Sequence, residues 1–226
     1  MASAEGYLQA LSLVAILILA PMTIHLIVHK EDNTVFVIVE TKGDDIIIEI
    51  ENQTIAREIP ELNRSEVARI ATFNIKVFGE TKMGKPEVIS VLVDTVLQYD
   101  MVSIQEIKDI DQTVPYDFLD EINNRSNNTW NMLLSERSGQ QDDDKTSQEQ
   151  YAYYYNTTVF SPIGGSLFND SQSDLFQREP YIGSFELLNA SGNLSGFNFT
   201  LITIHTKPAA ALEEINGLHT VVGHYQ

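Results

Sequence analysis

The hydropathy pattern changes character three times along the chain. From Tyr7 to Val28 the run YLQALSLVAILILAPMTIHLIV holds 22 residues without a Lys, Arg, Asp or Glu and is apolar all round rather than striped. As a helix it would span about the 30 Å of a bilayer's hydrocarbon, so residues 1–30 are expected to form an N-terminal transmembrane anchor. A cleaved secretory signal is the rival reading, although no basic segment precedes the run and its length exceeds the ~7–15 residues of a signal core. From Asn33 to Pro60 the segments TVFVIVE, TKGDD, IIIEIEN and TIAREIP alternate apolar bursts with turn-like breaks, the pattern of a short β meander. Residues 31–66 are read as a β-rich stalk or an added layer on the main domain, closing on a linker from Pro60 to Glu66.

A third pattern begins at Val67, the start of a main domain over residues 67–226. VARIATFNI reads as a strand, with Val67, Arg69, Ala71, Phe73 and Ile75 on one face and Asn74 close to its C-terminal end. In PEVISVLVDTVLQY, Pro86 suits a first helical turn, and Val88, Leu92 and Val96 fall at helical spacing with Ile89 and Val93 widening the stripe. A second strand, DMVSIQE, follows at once. Strand, helix, strand implies a crossover that lays the two strands parallel and adjacent, which defines an α/β class. Asn74 and Glu106 then share the C-terminal edge, where open α/β sheets form their ligand crevices.

Composition narrows the chemistry. With 226 residues, 43% of them hydrophobic, the chain can bury a substantial core and is not intrinsically disordered. It has no cysteine, which excludes disulfides, thiolate zinc sites and a cysteine nucleophile, and leaves oxygen and imidazole as the ligands for any metal. The 32 acidic and 14 basic side chains give a net charge of -18, which argues against a passive nucleic-acid coat but not against a site that carries its own divalent cation. Asn-X-Ser/Thr occurs at Asn52, Asn63, Asn124, Asn127, Asn156, Asn169, Asn189, Asn193 and Asn198. With 15 Asn and 32 Ser plus Thr in 226 residues, chance gives about two such sequons, so an outward-facing, glycosylated domain is expected. The alternation of Tyr151, Tyr153 and Tyr155 is assigned to a packed strand face rather than to a platform for stacking bases. His25 and His29 belong to the apolar run and its flank, His219 and His224 to the closing helix, and none is taken as catalytic.

The segment IATFNIKVFGETKM (Ile70 to Met83), followed about twenty residues on by VSIQEIKD (Val102 to Asp109), resembles the opening of the deoxyribonuclease I branch of the endonuclease/exonuclease/phosphatase superfamily. The likeness continues in order through Leu134-Ser-Glu, Glu149 ahead of QYAYYYN, Phe176-Gln-Arg-Glu-Pro180 and Ile204-His-Thr-Lys-Pro208. It implies a four-layer α/β sandwich, two packed sheets flanked by helices, acting as a metal-dependent endonuclease on DNA. Carried over residue by residue, it implies that Glu106 holds the divalent cation, Mg²⁺ with Ca²⁺ or Mn²⁺ as alternatives, and that Asn74 orients the site. His205 would contact the scissile phosphate or shuttle a proton, Glu149 would pair with it, Arg178 would clamp a phosphate oxygen and Lys108 would contact DNA.

The family's Gly-Asp-X-Asn and Ser-Asp-His segments have no counterpart here, since Ser173-Asp174 is followed by Leu175. The helical stripe of Leu212, Ile215, Leu218 or His219, Val222 and Tyr225 still runs when the sequence ends, so the domain is expected to be C-terminally incomplete. The favoured expectation is a membrane-anchored, outward-facing nuclease, its partners being DNA and the bilayer, with a secreted form as the alternative. Two other readings stand beside it. One is a non-enzymatic glycosylated surface module; the other is a phosphodiesterase of the same superfamily acting on small or lipid substrates, which the net charge favours.

Overall fold

The computed structural model describes residues 67–139 and 146–224, together with the strand backbone at residues 13–17, 25–29, 35–40 and 45–46. In chain order the elements are β1 (Leu13–Leu17), β2 (His25–His29), β3 (Val35–Glu40), β4 (Asp45–Ile46), β5 (Val67–Phe78), α1 (Glu80–Met83), α2 (Pro86–Val96), β6 (Met101–Ile107), α3 (Val114–Arg125), β7 (Trp130–Leu134), β8 (Gln150–Asn156), β9 (Phe160–Leu167), β10 (Tyr181–Leu188), β11 (Leu194–Thr203) and α4 (Ala211–His224). They build a larger sheet of order β4-β3-β2-β5-β6-β8-β7 and a smaller one of order β1-β11-β10-β9.

The crossover expected from the pattern change is present. β5 pairs parallel with β6, and α2 carries Ile89, Leu92, Val93 and Val96 into a cluster with Val102, Ile104 and the α3 residues Phe118 and Ile122. Pro86 opens α2, where its missing N–H goes unnoticed. A second cluster lies between the sheets. Tyr151, Tyr153 and Tyr155 alternate inward from β8 to meet Tyr181, Phe185, Phe199 and Leu201, so the tyrosine face is packed, as expected. A third cluster joins Ile182, Ile202 and Ile204 to Leu218 and Val221 of α4. Two packed sheets with flanking helices result.

Two expectations need correction. The run Tyr7–Val28, read as a transmembrane helix, contains β1 and most of β2 instead. β1 runs parallel to β11 and β2 antiparallel to β5; the remainder of the run lies outside the described residues. The Val and Ile residues of such a run also favour extended backbone. Among the described residues no helix is long and apolar enough to cross a membrane. The second correction concerns the start of α4: Leu218 is buried and Val222 packs against the same cluster, as expected, but Leu212 is 75% exposed and Glu214, Gly217 and Val221 complete the buried face. Gly217 sets that face, because a Cβ there would lie 2.2 Å from Leu175 Cδ2. The meander at 33–60 is described only at β3 and β4, which extend the larger sheet beyond β2. The linker at 60–66, Asn52, Asn63 and Tyr225 lie outside the described residues.

Candidate active site

β5 and β6 end together, and both leave regular geometry there. Pairing runs from Ile70 with Met101 to Asn74 with Gln105 and resumes only at Phe78 with Ile107, so three residues of β5 lie opposite one of β6. Lys76 (φ 45°), Val77 (φ 59°) and Glu106 (φ 60°) occupy the left-handed region, which costs a residue with a side chain about 1–3 kcal/mol. The irregularity turns one backbone and one side-chain donor toward one carboxylate. Val77 N–H donates to Glu106 Oε2 at 2.9 Å and Asn74 Nδ2 donates to Oε1 at 2.9 Å. Asn74 Oδ1 in turn accepts from Lys76 N–H at 2.8 Å. Gly79 lets the following loop approach β6, since a Cβ there would lie 2.5 Å from the Lys108 carbonyl oxygen.

The smaller sheet contributes the opposing wall. Gln105, fully buried beside Glu106 in sequence, donates from Nε2 to Thr72 Oγ1 (2.9 Å) and to Thr203 Oγ1 (2.7 Å). Thr203 ends β11 two residues before His205, so this bond fixes the register between the sheet that carries the carboxylate and the strand that delivers the imidazole. The His205 backbone is held as well. Its N–H donates to the buried Tyr151 hydroxyl at 3.0 Å, and its carbonyl accepts from Arg178 Nη1 at 3.3 Å.

His205 lies between two carboxylates, its Nε2 3.2 Å from Glu106 Oε1 and its Nδ1 2.7 Å from Glu149 Oε2. Glu149 is 1% exposed, and a paired backbone bridge to Ser138 pins it just ahead of β8. Arg178 Nε lies 2.9 Å from Oε2 of the same carboxylate as an ion pair without an aligned hydrogen bond, and Lys108 Nζ lies 3.3 Å from Oε1. Burial by itself raises the Glu149 pKa, but the His205 hydrogen bond and the charges of Arg178 and Lys108 outweigh it and hold the carboxyl below its ordinary value.

All six residues singled out from the sequence, Asn74, Glu106, Lys108, Glu149, Arg178 and His205, therefore fall in one connected cluster. Sequence reasoning missed the supporting groups: the Val77 N–H, the Gln105 side chain and the Tyr151 hydroxyl. Gln105 stands in the VSIQEIKD segment and Tyr151 two residues after Glu149, but neither position by itself marks a supporting role. Beside the cluster opens a groove of about 420 Å³ lined by Val77, Gly79, Lys82, Lys108 and Ile110, among others.

Glu106 offers a hard carboxylate at a rim that water reaches, its two oxygens oriented by neutral amide donors. That suits Mg²⁺, which binds through one or two carboxylates and keeps several waters. Among the described residues no group of three or more His, Cys, Asp or Glu side chains is placed to hold a metal, so they supply no closed cage of the kind zinc or calcium takes.

Similarity to known proteins lies over about two thirds of the chain. The chain is 32% identical over 162 residues to deoxyribonuclease-1 of Equus caballus and 30% identical over 153 residues to that of Homo sapiens, in each case over 68% of this chain and 53% of the relative. No family model matches. Among solved structures it is similar to an endonuclease/exonuclease/phosphatase family protein from Bacteroides thetaiotaomicron, with a TM-score of 0.44 at 14% identity over 69% of this chain and 58% of that one. The chain belongs to the deoxyribonuclease I-like branch of the endonuclease/exonuclease/phosphatase superfamily. It spans about half the length of the curated relatives it matches.

Proposed function

We propose that this chain carries a hydrolytic site for phosphodiester bonds, with DNA as the substrate and a divalent cation as cofactor. The observation that carries the reading is the single imidazole of His205 placed 3.2 Å from Glu106 and 2.7 Å from Glu149. Glu149, buried and charged, accepts from Nδ1–H, which fixes the tautomer and stabilises the imidazolium when it forms. Nε2 is then the atom that takes a proton from the attacking water and returns it as the phosphodiester P–O bond breaks. Glu106 is assigned to the cation, which when bound polarises the phosphate and neutralises charge developing on its oxygens. Asn74 orients that carboxylate, Arg178 binds a phosphate oxygen and Lys108 contacts the nucleic-acid backbone.

The deoxyribonuclease-1 relatives support DNA as the substrate. The net charge of -18 favours a smaller or lipid phosphodiester as a second reading. Relaxation of supercoiled plasmid in Mg²⁺, abolished by EDTA and exceeding turnover of phospholipid, is the expected outcome. Phospholipid turnover without plasmid nicking would select the second reading. The sequon excess supports an exterior location, and a mass shift on glycosidase treatment of protein from a secreting host tests it.

A further inference from the structure

The geometry points to Lys82 as a positioning residue that acts through the backbone, holding the turn at Lys76–Val77 so that its two N–H groups, one directly and one through Asn74, keep the Glu106 carboxylate aimed. Lys82 stands in α1, and its Nζ donates to the carbonyl oxygens of Ile75 (2.5 Å) and Lys76 (2.6 Å). Those carbonyls belong to the two peptide units whose N–H groups are contributed by Lys76 and Val77. A trans peptide is planar, with its C=O and N–H on opposite sides. An ammonium gripping both oxygens on one side therefore fixes both hydrogens on the other. On that other side the Lys76 N–H meets Asn74 Oδ1 at 2.8 Å, and the Val77 N–H meets Glu106 Oε2 at 2.9 Å.

The clamp is needed because of what sits in the turn. Consecutive left-handed residues with side chains are strained, most of all the β-branched Val77. Rotation of either peptide plane would relieve that strain and carry its N–H away from the acceptor. Val77 is 50% exposed, so packing of its side chain offers little in place of the ammonium.

The consequence for hydrolysis rests on the proposed function, but the clamp itself does not, and the two fail separately. Native-state amide exchange in the full chain reads it directly. Lys82→Met is expected to speed exchange of the Lys76 and Val77 amides about tenfold or more, the loss of a charge-assisted hydrogen bond, while the Ile104 amide in the core is unchanged. Glycine adopts the left-handed region without strain, so Val77→Gly added to Lys82→Met is expected to restore protection at Lys76 and residue 77. Plasmid nicking is expected to fall in Lys82→Met and recover in the double variant. Exchange at Lys76 and Val77 within about twofold of wild type in Lys82→Met overturns the inference. So does a loss of folding in Lys82→Met that Val77→Gly leaves uncorrected, because a relaxed turn no longer needs its clamp. If wild type shows no nicking, the hydrolytic reading falls and the exchange data still decide the role of Lys82.

Discussion

Removing the charge of Glu149 is the sharpest perturbation of the site's internal electrostatics. Its carboxylate, 1% exposed, is approached by His205 at 2.7 Å, Arg178 at 2.9 Å and Lys108 at 3.3 Å. Glu149→Ala strands the imidazole and the guanidinium, whose side chains are only 18% and 16% exposed. Breaking a buried pair in this way costs about 3–5 kcal/mol. Glu149→Gln keeps the shape and one acceptor for Nδ1–H, so its cost is nearer the ~1.5–3 kcal/mol of a hydrogen bond to a charged group. At roughly 2–4 °C per kcal/mol for a chain of this size, Tm should fall by about 6–20 °C for Ala and about 3–12 °C for Gln. Circular dichroism melts at neutral pH measure both. The pH dependence has a fixed sign, because the folded carboxyl lies below its ordinary value of 4.5. As pH falls, the unfolded chain binds the proton first, so the stabilisation is complete above the unfolded value and lost as pH drops through the folded one. The gap between wild type and Glu149→Gln should narrow below pH 4.5. Equal Tm values at neutral pH, or a gap that widens on acidification, would refute the reasoning.

Burial raises the pKa of Tyr151, Tyr153 and Tyr154, and it pushes Tyr181 up to about 12 from 10.0. Above pH 10 the unfolded chain therefore releases protons that the folded one keeps, stability falls as pH rises, and tyrosinate absorbance should appear together with loss of the far-ultraviolet signal; ionisation of these phenols in a folded chain would contradict their burial. Gly183→Ala should lower Tm by roughly 2–12 °C, the effect of about 1–3 kcal/mol of overpacking. The added Cβ would lie 2.6 Å from Tyr153 Cε2 and 3.0 Å from Phe185 Cε2, both rings locked between the sheets; an unchanged melt would show slack there. In a secreting host, Asn189 and Asn193, exposed at the β10–β11 turn, should carry glycan, whereas the buried Asn156, whose Oδ1 accepts from Thr158, should stay bare; peptide mass mapping that finds Asn156 occupied would contradict its burial.

The parts of the fold legible in the sequence were those where one local rule acted alone. Helical spacing in α2 and the polar residues near the C-terminal ends of β5 and β6 are enough to bring Asn74 and Glu106 to one edge. The alternating tyrosines of β8 share one packed face because side chains along a strand point to opposite sides in turn, although Ala152 and Tyr154 on the other face are buried as well. The N-terminal run is ambiguous, since periodicity alone does not tell an apolar helix from apolar strands. The apolar stripe of α4 marks Leu218 and Val222 but not the buried Glu214, whose Oε1 accepts from Lys207 N–H, or Gly217 against Leu175, which carry no apolar signal. Pairing of His205 with Glu149, 56 residues apart, reached the sequence reading only through family resemblance. The left-handed turn at Lys76–Val77 left no mark at all, because neither residue is a type that favours it.

Kinetic coupling between Glu106 and His205 bears most directly on whether the two serve one phosphate. Initial rates of Mg²⁺-dependent plasmid relaxation would be measured for wild type, Glu106→Gln, His205→Ala and the double variant, each confirmed as folded by its melt. Groups that act as a unit are strongly non-additive, so each single variant is expected to lose nearly all that the double variant loses. Independent, multiplicative losses, or relaxation at the wild-type rate by either single variant, would contradict a shared reacting centre at the ends of β6 and β11.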